Sequence, residues 1–272
     1  MTTATSLSHW LPLRAWAALA LLGALAGCVG APGTRAMPGE LQSVSDESDA
    51  RKRARTRLVL ASSYFENGQT AVALDEMKKA LQTDPSFADV YDLGGLIYMT
   101  MGDQALAQSH FERAIALNPR DADAMHNLGW LLCQQGQYAA AGQSFERALA
   151  EPAYQNRAKT LMTQGICQAR GGDAAAAEAT LLRSYELDAG NPVTGYNLSR
   201  LLYQRGDYSR AQFYIRRINN SELANAESLW LGMKVEHRLN NRQAVEQLGS
   251  QLRRRFPQSR ELQAYEREAF DD

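Results

Sequence analysis

The sequence predicts an all-α solenoid built from about six helix pairs. Small and large apolar residues recur at a constant interval of about 34 residues through most of the 272-residue chain. No stretch of useful length alternates apolar and polar residues as a strand would. A helix pair of this size cannot bury its apolar face alone, so neighbouring pairs must stack.

The repeat is clearest in the middle of the chain. Gly95, Gly102, Ala107, Phe111 and Ala114 recur, at one constant offset, as Gly129, Gly136, Ala141, Phe145 and Ala148. We assign residues 51–259 to the repeats, with units at 54–87, 88–121, 122–157, 158–191, 192–225 and 226–259. The third unit carries a two-residue insertion, and the register of the sixth is fixed only to within one residue.

Residue size supports this division. The small residues Gly95 and Ala107 suit the place where two helices cross closely, and Phe111 fills the gap beside them. Gly102 stands where the first helix of its unit ends and the chain turns, a position that favours a left-handed residue. The pattern resembles the tetratricopeptide repeat, which implies a right-handed superhelix with the first helices of each unit lining a concave groove.

The C-terminal segment 260–272 is predicted to be a capping helix. Ser259 is a suitable N-cap, and Leu262, Tyr265 and Phe270 can face the last repeat while charged residues face water. A solenoid needs such a polar-faced end to remain soluble.

The N-terminal residues 1–27 have the features of a signal peptide. An apolar run at 15–26 follows Arg14, and it is too short to span a bilayer but suits a signal. The run ends in Leu25-Ala26-Gly27-Cys28, which resembles a bacterial lipobox and implies that Cys28 is lipidated. The alternative is an ordinary secretory signal beside an unmodified Cys28. Residues 28–50, rich in Gly and Pro and then acidic, are predicted to be a flexible tether.

Composition and motifs favour a binding protein over an enzyme. Lys and Arg total 29 against 30 for Asp and Glu, so the net charge of −1 offers no general attraction to nucleic acid. The four histidines lack a metal-ligand spacing, and no phosphate-binding loop or nucleophile elbow is present. We therefore expect no catalytic residues, metal, cofactor or small-molecule substrate.

A closer resemblance lies in residues 127–173. Cys133 after Gly-x-x-Leu, the insertion Pro152-x-Tyr154 and the second Gly-x-Cys at Cys167 are similar to the type IV pilus biogenesis and stability lipoproteins of the PilF/PilW type. That resemblance implies a pilotin, which brings the pilus secretin to the outer membrane or helps it multimerise, for twitching motility. It also implies lipid anchoring at the periplasmic face of the outer membrane. The alternative is a scaffold for another envelope machine, such as cell-wall synthesis or outer-membrane protein assembly.

The same resemblance implies a disulfide between Cys133 and Cys167, which the oxidising periplasm would permit. The alternative is a pair of buried thiols, because cysteine packs like a small apolar residue.

Partner binding is expected in the concave groove. In this repeat class, defined positions of the first helices face the groove, and here many of them are apolar or aromatic, as on partner surfaces. The expected groove residues are Phe65, Leu96, Met99, His126, Trp130, Ile166, Arg170, Tyr196, Arg200 and Tyr203. The predicted ligand is an extended or helical protein segment. The alternative is that the large side chains pack internally.

Overall fold

A computed structural model describes residues 47–270, which form thirteen α-helices and no strand. The helices are α1 (Asp49–Glu66), α2 (Thr70–Thr83), α3 (Ala88–Thr100), α4 (Gln104–Leu117), α5 (Ala122–Gln134), α6 (Tyr138–Ala150), α7 (Arg157–Arg170), α8 (Ala174–Leu187), α9 (Pro192–Gln204), α10 (Tyr208–Asn219), α11 (Ala226–Arg238), α12 (Arg242–Arg255) and α13 (Arg260–Glu266). The predicted all-α repeat fold is confirmed.

The helices pack as six consecutive pairs, from α1 with α2 to α11 with α12. Each odd-numbered helix also contacts the next odd-numbered helix, whereas within residues 47–270 no even-numbered helix contacts the next even-numbered one. Elements that touch their counterparts in neighbouring pairs lie at the smaller radius of a curved stack. The odd-numbered helices therefore form the inner face.

The turn inside each pair uses a left-handed residue. Gly68, Gly102, Gly136, Gly172 and Gly206 all have positive φ and follow the first helix of their pair. In the sixth pair the same position holds Asn240, at φ 58°, which lies one repeat length after Gly206. Asparagine is among the few non-glycine residues that tolerate this conformation. The backbone thus fixes the register of the sixth repeat.

Close approach of the two helices within a pair depends on glycine, which has no side chain. A Cβ atom added to Gly95 would lie 2.3 Å from the Phe111 ring, and one added to Gly129 would lie 2.8 Å from the Phe145 ring. Both rings are fully buried. Each phenylalanine on a second helix thus occupies the space that a glycine leaves on the first helix.

The C-terminal end is closed by α13 and by the residues after it. Helix α13 contacts α11 and α12, where the first helix of a further pair would stand. Leu262 and Phe270 are buried against the last pair. This segment covers the apolar surface that the last helix pair would otherwise expose.

Several sequence predictions concern residues outside the described part of the chain. The signal peptide, the lipobox with Cys28 and the tether up to residue 46 all lie before the first described residue. Helix α1 begins at Asp49, capped by the side chain of Ser48, so the first helix starts two residues before the predicted boundary at 51. No helix within 47–270 has the length and apolar character needed to cross a bilayer.

The close approach at Gly95 leads to a matched pair of substitutions. Gly95→Ala should destabilise the protein by about 1–3 kcal/mol, because the new methyl group must displace the Phe111 ring. Gly142→Ala, in open space within α6, should stabilise it by roughly 0.5–1 kcal/mol, because alanine favours helix. Urea denaturation of both variants measures the two effects. Equal effects at the two positions would contradict the packing described here.

Candidate protein-binding groove

The inner face carries one stripe of side chains from each first helix. On α9 the stripe is Tyr196, Arg200 and Tyr203, at the i, i+4, i+7 spacing that keeps residues on one side of a helix. All three are half-buried, and the two tyrosines pack against the core beneath them. Part of each side chain therefore remains open to a partner.

Two predicted groove residues from neighbouring helices meet directly. The guanidinium carbon of Arg170 on α7 lies 4.9 Å from the ring centroid of Trp130 on α5, a cation–π contact. Trp130 is half-buried, whereas Arg170 is exposed. The indole therefore spans the junction between the third and fourth pairs.

The remaining predicted apolar residues lie on α1, α3 and α7, the first helices of the first, second and fourth pairs. Phe65 is half-buried against the first core cluster, and Leu96 and Met99 are half-buried against the next. Ile166 on α7 is also half-buried. Together with Trp130 they form a partly exposed apolar row along α1, α3, α5 and α7.

His126 departs from the expectation that it lines the groove. It is only 5% exposed, and its Nδ1 lies 2.9 Å from Thr160 Oγ1, which also lies 2.7 Å from the buried Tyr154 hydroxyl. Burial lowers the pKa of His126 to about 4, so the ring is neutral at pH 7. The insertion that supplies Tyr154 thus covers this position and converts it to a core site.

The sixth pair contributes groove residues that the sequence analysis missed. Trp230 and Lys234 on α11 lie one repeat length after Tyr196 and Arg200, and the Lys234 ammonium lies 5.5 Å from the Trp230 ring centroid. The constant repeat spacing would have found them once the register of the last repeat was known. Phe270 stacks on Trp230, with ring centroids 5.3 Å apart, so this end of the groove is covered by the chain itself.

Cys133 and Cys167 join neighbouring first helices. Their sulfur atoms are bonded, and their Cα atoms lie 5.8 Å apart across α5 and α7. Both residues are buried, at 2% and 3% exposure. Cys133 lies one turn after Trp130 on α5, and Cys167 lies one turn before Arg170 on α7.

An acidic cavity opens at the edge of the groove where the first helices begin. It has a volume of about 740 Å³, and Asp89, Asp92, Asp121 and Asp123 line it together with the loop that carries the insertion. Asn127 donates hydrogen bonds of 3.0 and 3.2 Å to the two oxygens of Asp92. Burial nevertheless raises the pKa of Asp92 to about 7, and the neighbouring aspartates add to this rise.

A tetratricopeptide-repeat family model matches residues 93–158, the segment from α3 to the start of α7. The chain has the fold of a tetratricopeptide-repeat solenoid. It is 27% identical over 256 residues to a type IV pilus assembly protein, PilF of Pseudomonas aeruginosa, covering 94% of this chain and 99% of that relative.

Two solved tetratricopeptide-repeat structures extend the similarity to three dimensions. A structure of Pseudomonas aeruginosa PilF superposes with a TM-score of 0.73 at 26% identity, covering 81% of this chain and all of that one. The crystal structure of PilW, described as a widely conserved type IV pilus biogenesis factor, gives a TM-score of 0.72 at 29% identity, with coverage of 78% and 97%.

No group of three or more His, Cys, Asp or Glu side chains within the described repeats is placed to hold a metal ion. The groove offers aromatic faces, methyl groups and guanidinium donors. That arrangement can hold another polypeptide.

The Asp92 environment predicts a pH effect on the repeat fold. Its pKa rises from 3.8 to about 7 on folding, so ionisation favours the unfolded chain. The free energy of unfolding therefore falls as pH rises from about 4 to 7. Asp92→Asn should therefore be more stable than the native protein at pH 8, by roughly 1–3 kcal/mol, and no more stable near pH 4.

Denaturant unfolding across this pH range measures the difference between the two proteins. Since His126 titrates in both, the difference isolates Asp92. Asp75→Asn, on the exposed side of α2, removes the same charge far from the cavity and should change little. A constant difference between Asp92→Asn and the native protein at all pH values would contradict the prediction.

The disulfide predicts a redox effect on stability. Reduction should lower the free energy of unfolding by roughly 3 kcal/mol, because it releases a loop of 34 residues in the unfolded chain. The intact protein should gain the mass of two hydrogen atoms on denaturation with reductant. The Cys133→Ala, Cys167→Ala double variant should respond to reductant in neither measurement; an unchanged mass of the native protein would show two free thiols.

Proposed function

We propose that this chain is a lipid-anchored scaffold for type IV pilus assembly, acting as a pilotin that helps the secretin reach or multimerise in the outer membrane. It would bind protein segments and catalyse no reaction. The observation that carries the proposal is the similarity to PilF, which covers 94% of this chain in sequence and 81% of it in fold.

The groove supports a role in protein binding. Trp130, Tyr196 and Tyr203 keep part of their surfaces exposed on the inner face, and Arg170 extends that surface beside Trp130. Aromatic and arginine side chains are the residue types that most often anchor protein partners. A curved stack also offers a long surface for an extended or helical segment.

The membrane anchor is inferred from the sequence alone. Lipidation of Cys28 would place the repeats on the periplasmic face of the outer membrane, since Val29 differs from the aspartate that retains lipoproteins at the inner membrane. Two or more acyl chains hold a protein durably at a bilayer. A tether of about 20 residues would let the groove stand away from the lipid surface by roughly 25 Å.

Lipidation has a direct test. Cells expressing the full-length chain and fed an alkyne-labelled fatty acid should label the native protein, and Cys28→Ser should carry no label. Label that persists in the variant would show that Cys28 is not the acceptor.

Deletion of the gene tests the assigned pathway. The deletion strain should lose pilus-dependent motility and the secretin multimer, and both should return on complementation. Normal pili together with a cell-wall or outer-membrane protein defect would instead favour the alternative envelope machine.

Substitution in the groove tests the binding surface. The Trp130→Ala, Tyr203→Ala double variant should weaken binding to purified secretin at least about tenfold, because two anchors are truncated, and its helical circular dichroism should match that of the native protein. Phe213→Ala is the matched control, since this aromatic residue is 62% exposed on the outer helix α10. Equal binding by all three proteins would show that the groove is not the contact surface.

A further inference from the structure

Arg200 lies on the inner face, on α9. Its Nη2 donates to Asn197 Oδ1 at 3.2 Å, while its Nε–H is buried and has no hydrogen-bond partner. None of the ion pairs formed among residues 47–270 includes Arg200. A half-buried guanidinium normally pairs with a carboxylate. The Nε–H of Arg200 is therefore available to donate to an acceptor on a partner.

Aromatic side chains surround this arginine along the groove. Tyr196 lies one turn before Arg200 on α9 and Tyr203 one turn after it. On the preceding first helix, Arg170 covers the Trp130 ring and forms no ion pair among the described residues. A guanidinium that stacks on a ring keeps its edge N–H groups available for a carboxylate.

The charges along the groove have a direction. Arg170 lies in the last turn of α7 and Arg200 in the C-terminal half of α9, whereas Glu227 and Glu261 lie in the first turns of α11 and α13. Burial raises the pKa of Tyr196, and the carboxylates of Glu227 and Glu261 raise it further. The side of Arg200 that faces Tyr203 and Arg170 is therefore the side that favours an acidic residue.

The chain supplies an internal example of an inner-face ligand. Phe270 stacks on His237 at 4.2 Å with nearly parallel rings and on Trp230 at 5.3 Å. The segment that delivers this ring also carries Glu266 and Glu268. An aromatic ring thus already occupies the inner face of the sixth pair, while Glu266 of the same segment pairs with Arg253 of the outer helix α12 at 3.8 Å.

We propose that the groove from α5 to α9 docks a partner segment in which an acidic residue stands beside aromatic or large apolar residues, with Arg200 pairing to the acidic side chain. The inference rests on the proposed function, because it names the chemistry of the segment that the groove would hold. The acidic residue would lie toward Tyr203, and the apolar residues would contact Trp130 and the tyrosines.

Selection from a phage-displayed library of random peptides tests this preference without knowledge of the partner. The bait is the full-length protein purified in detergent. The native protein should enrich peptides with Asp or Glu next to Phe, Tyr, Trp or Leu. Arg200→Gln should still enrich apolar peptides but lose the acidic preference, while Arg183→Gln, at an exposed arginine of the outer helix α8, should select as the native protein does.

The outcomes separate the two proposals. Apolar peptides without acidic enrichment on the native protein would overturn the pairing with Arg200 and leave the binding groove standing. If the native protein enriches nothing beyond what the Trp130→Ala, Tyr203→Ala variant enriches, both the pairing and the groove fail.

A double-mutant cycle with one enriched synthetic peptide measures the contact itself. Arg200→Gln, or Glu→Gln in the peptide, should each raise the Kd about tenfold, as loss of a charge-assisted hydrogen bond predicts. The two changes together should weaken binding no more than either alone, because they remove the same contact. Additive effects of the two changes would overturn the pairing.

Discussion

The fold depends on how closely the two helices of each pair approach one another. Glycine at positions such as 95 and 129 lets a phenylalanine from the second helix rest against the backbone of the first. That contact sets the spacing within the pair and leaves the opposite side of the first helix facing inward. The partly exposed stripes of Trp130, Tyr196 and Tyr203 exist because the buried side of each helix is already filled.

Much of this arrangement could be predicted from the spacing of small and large residues. Identical residues at a constant interval indicated the pairing of helices, and repeat position alone placed Trp130, Arg170 and Arg200 on the inner face. His126 could not be placed in this way, since its burial depends on Thr160 of α7 and on Tyr154, which the insertion supplies. Long-range contacts of this kind leave no periodic signal.

The two edges of the inner surface differ in charge, and at one of them burial of a carboxyl group lowers stability. Aspartates gather where the first helices begin, and burial disfavours the charged form of Asp92. Toward the other ends of α7 and α9, Arg170 is exposed and Arg200 and Tyr203 are half-buried. This separation means that a segment docked in the groove would meet carboxylates on one side and guanidinium groups on the other, which would favour one orientation over its reverse.

The covalent link between Cys133 and Cys167 has a mechanical consequence. A stack of repeats held by nearest-neighbour contacts behaves as a spring, because small rotations at each junction add up along its length. The sulfur–sulfur bond ties the two middle repeats together on the inner side, where opening of the curve would separate them. Pulling on the two ends of the chain would therefore extend the terminal repeats first, while the third and fourth pairs stay together.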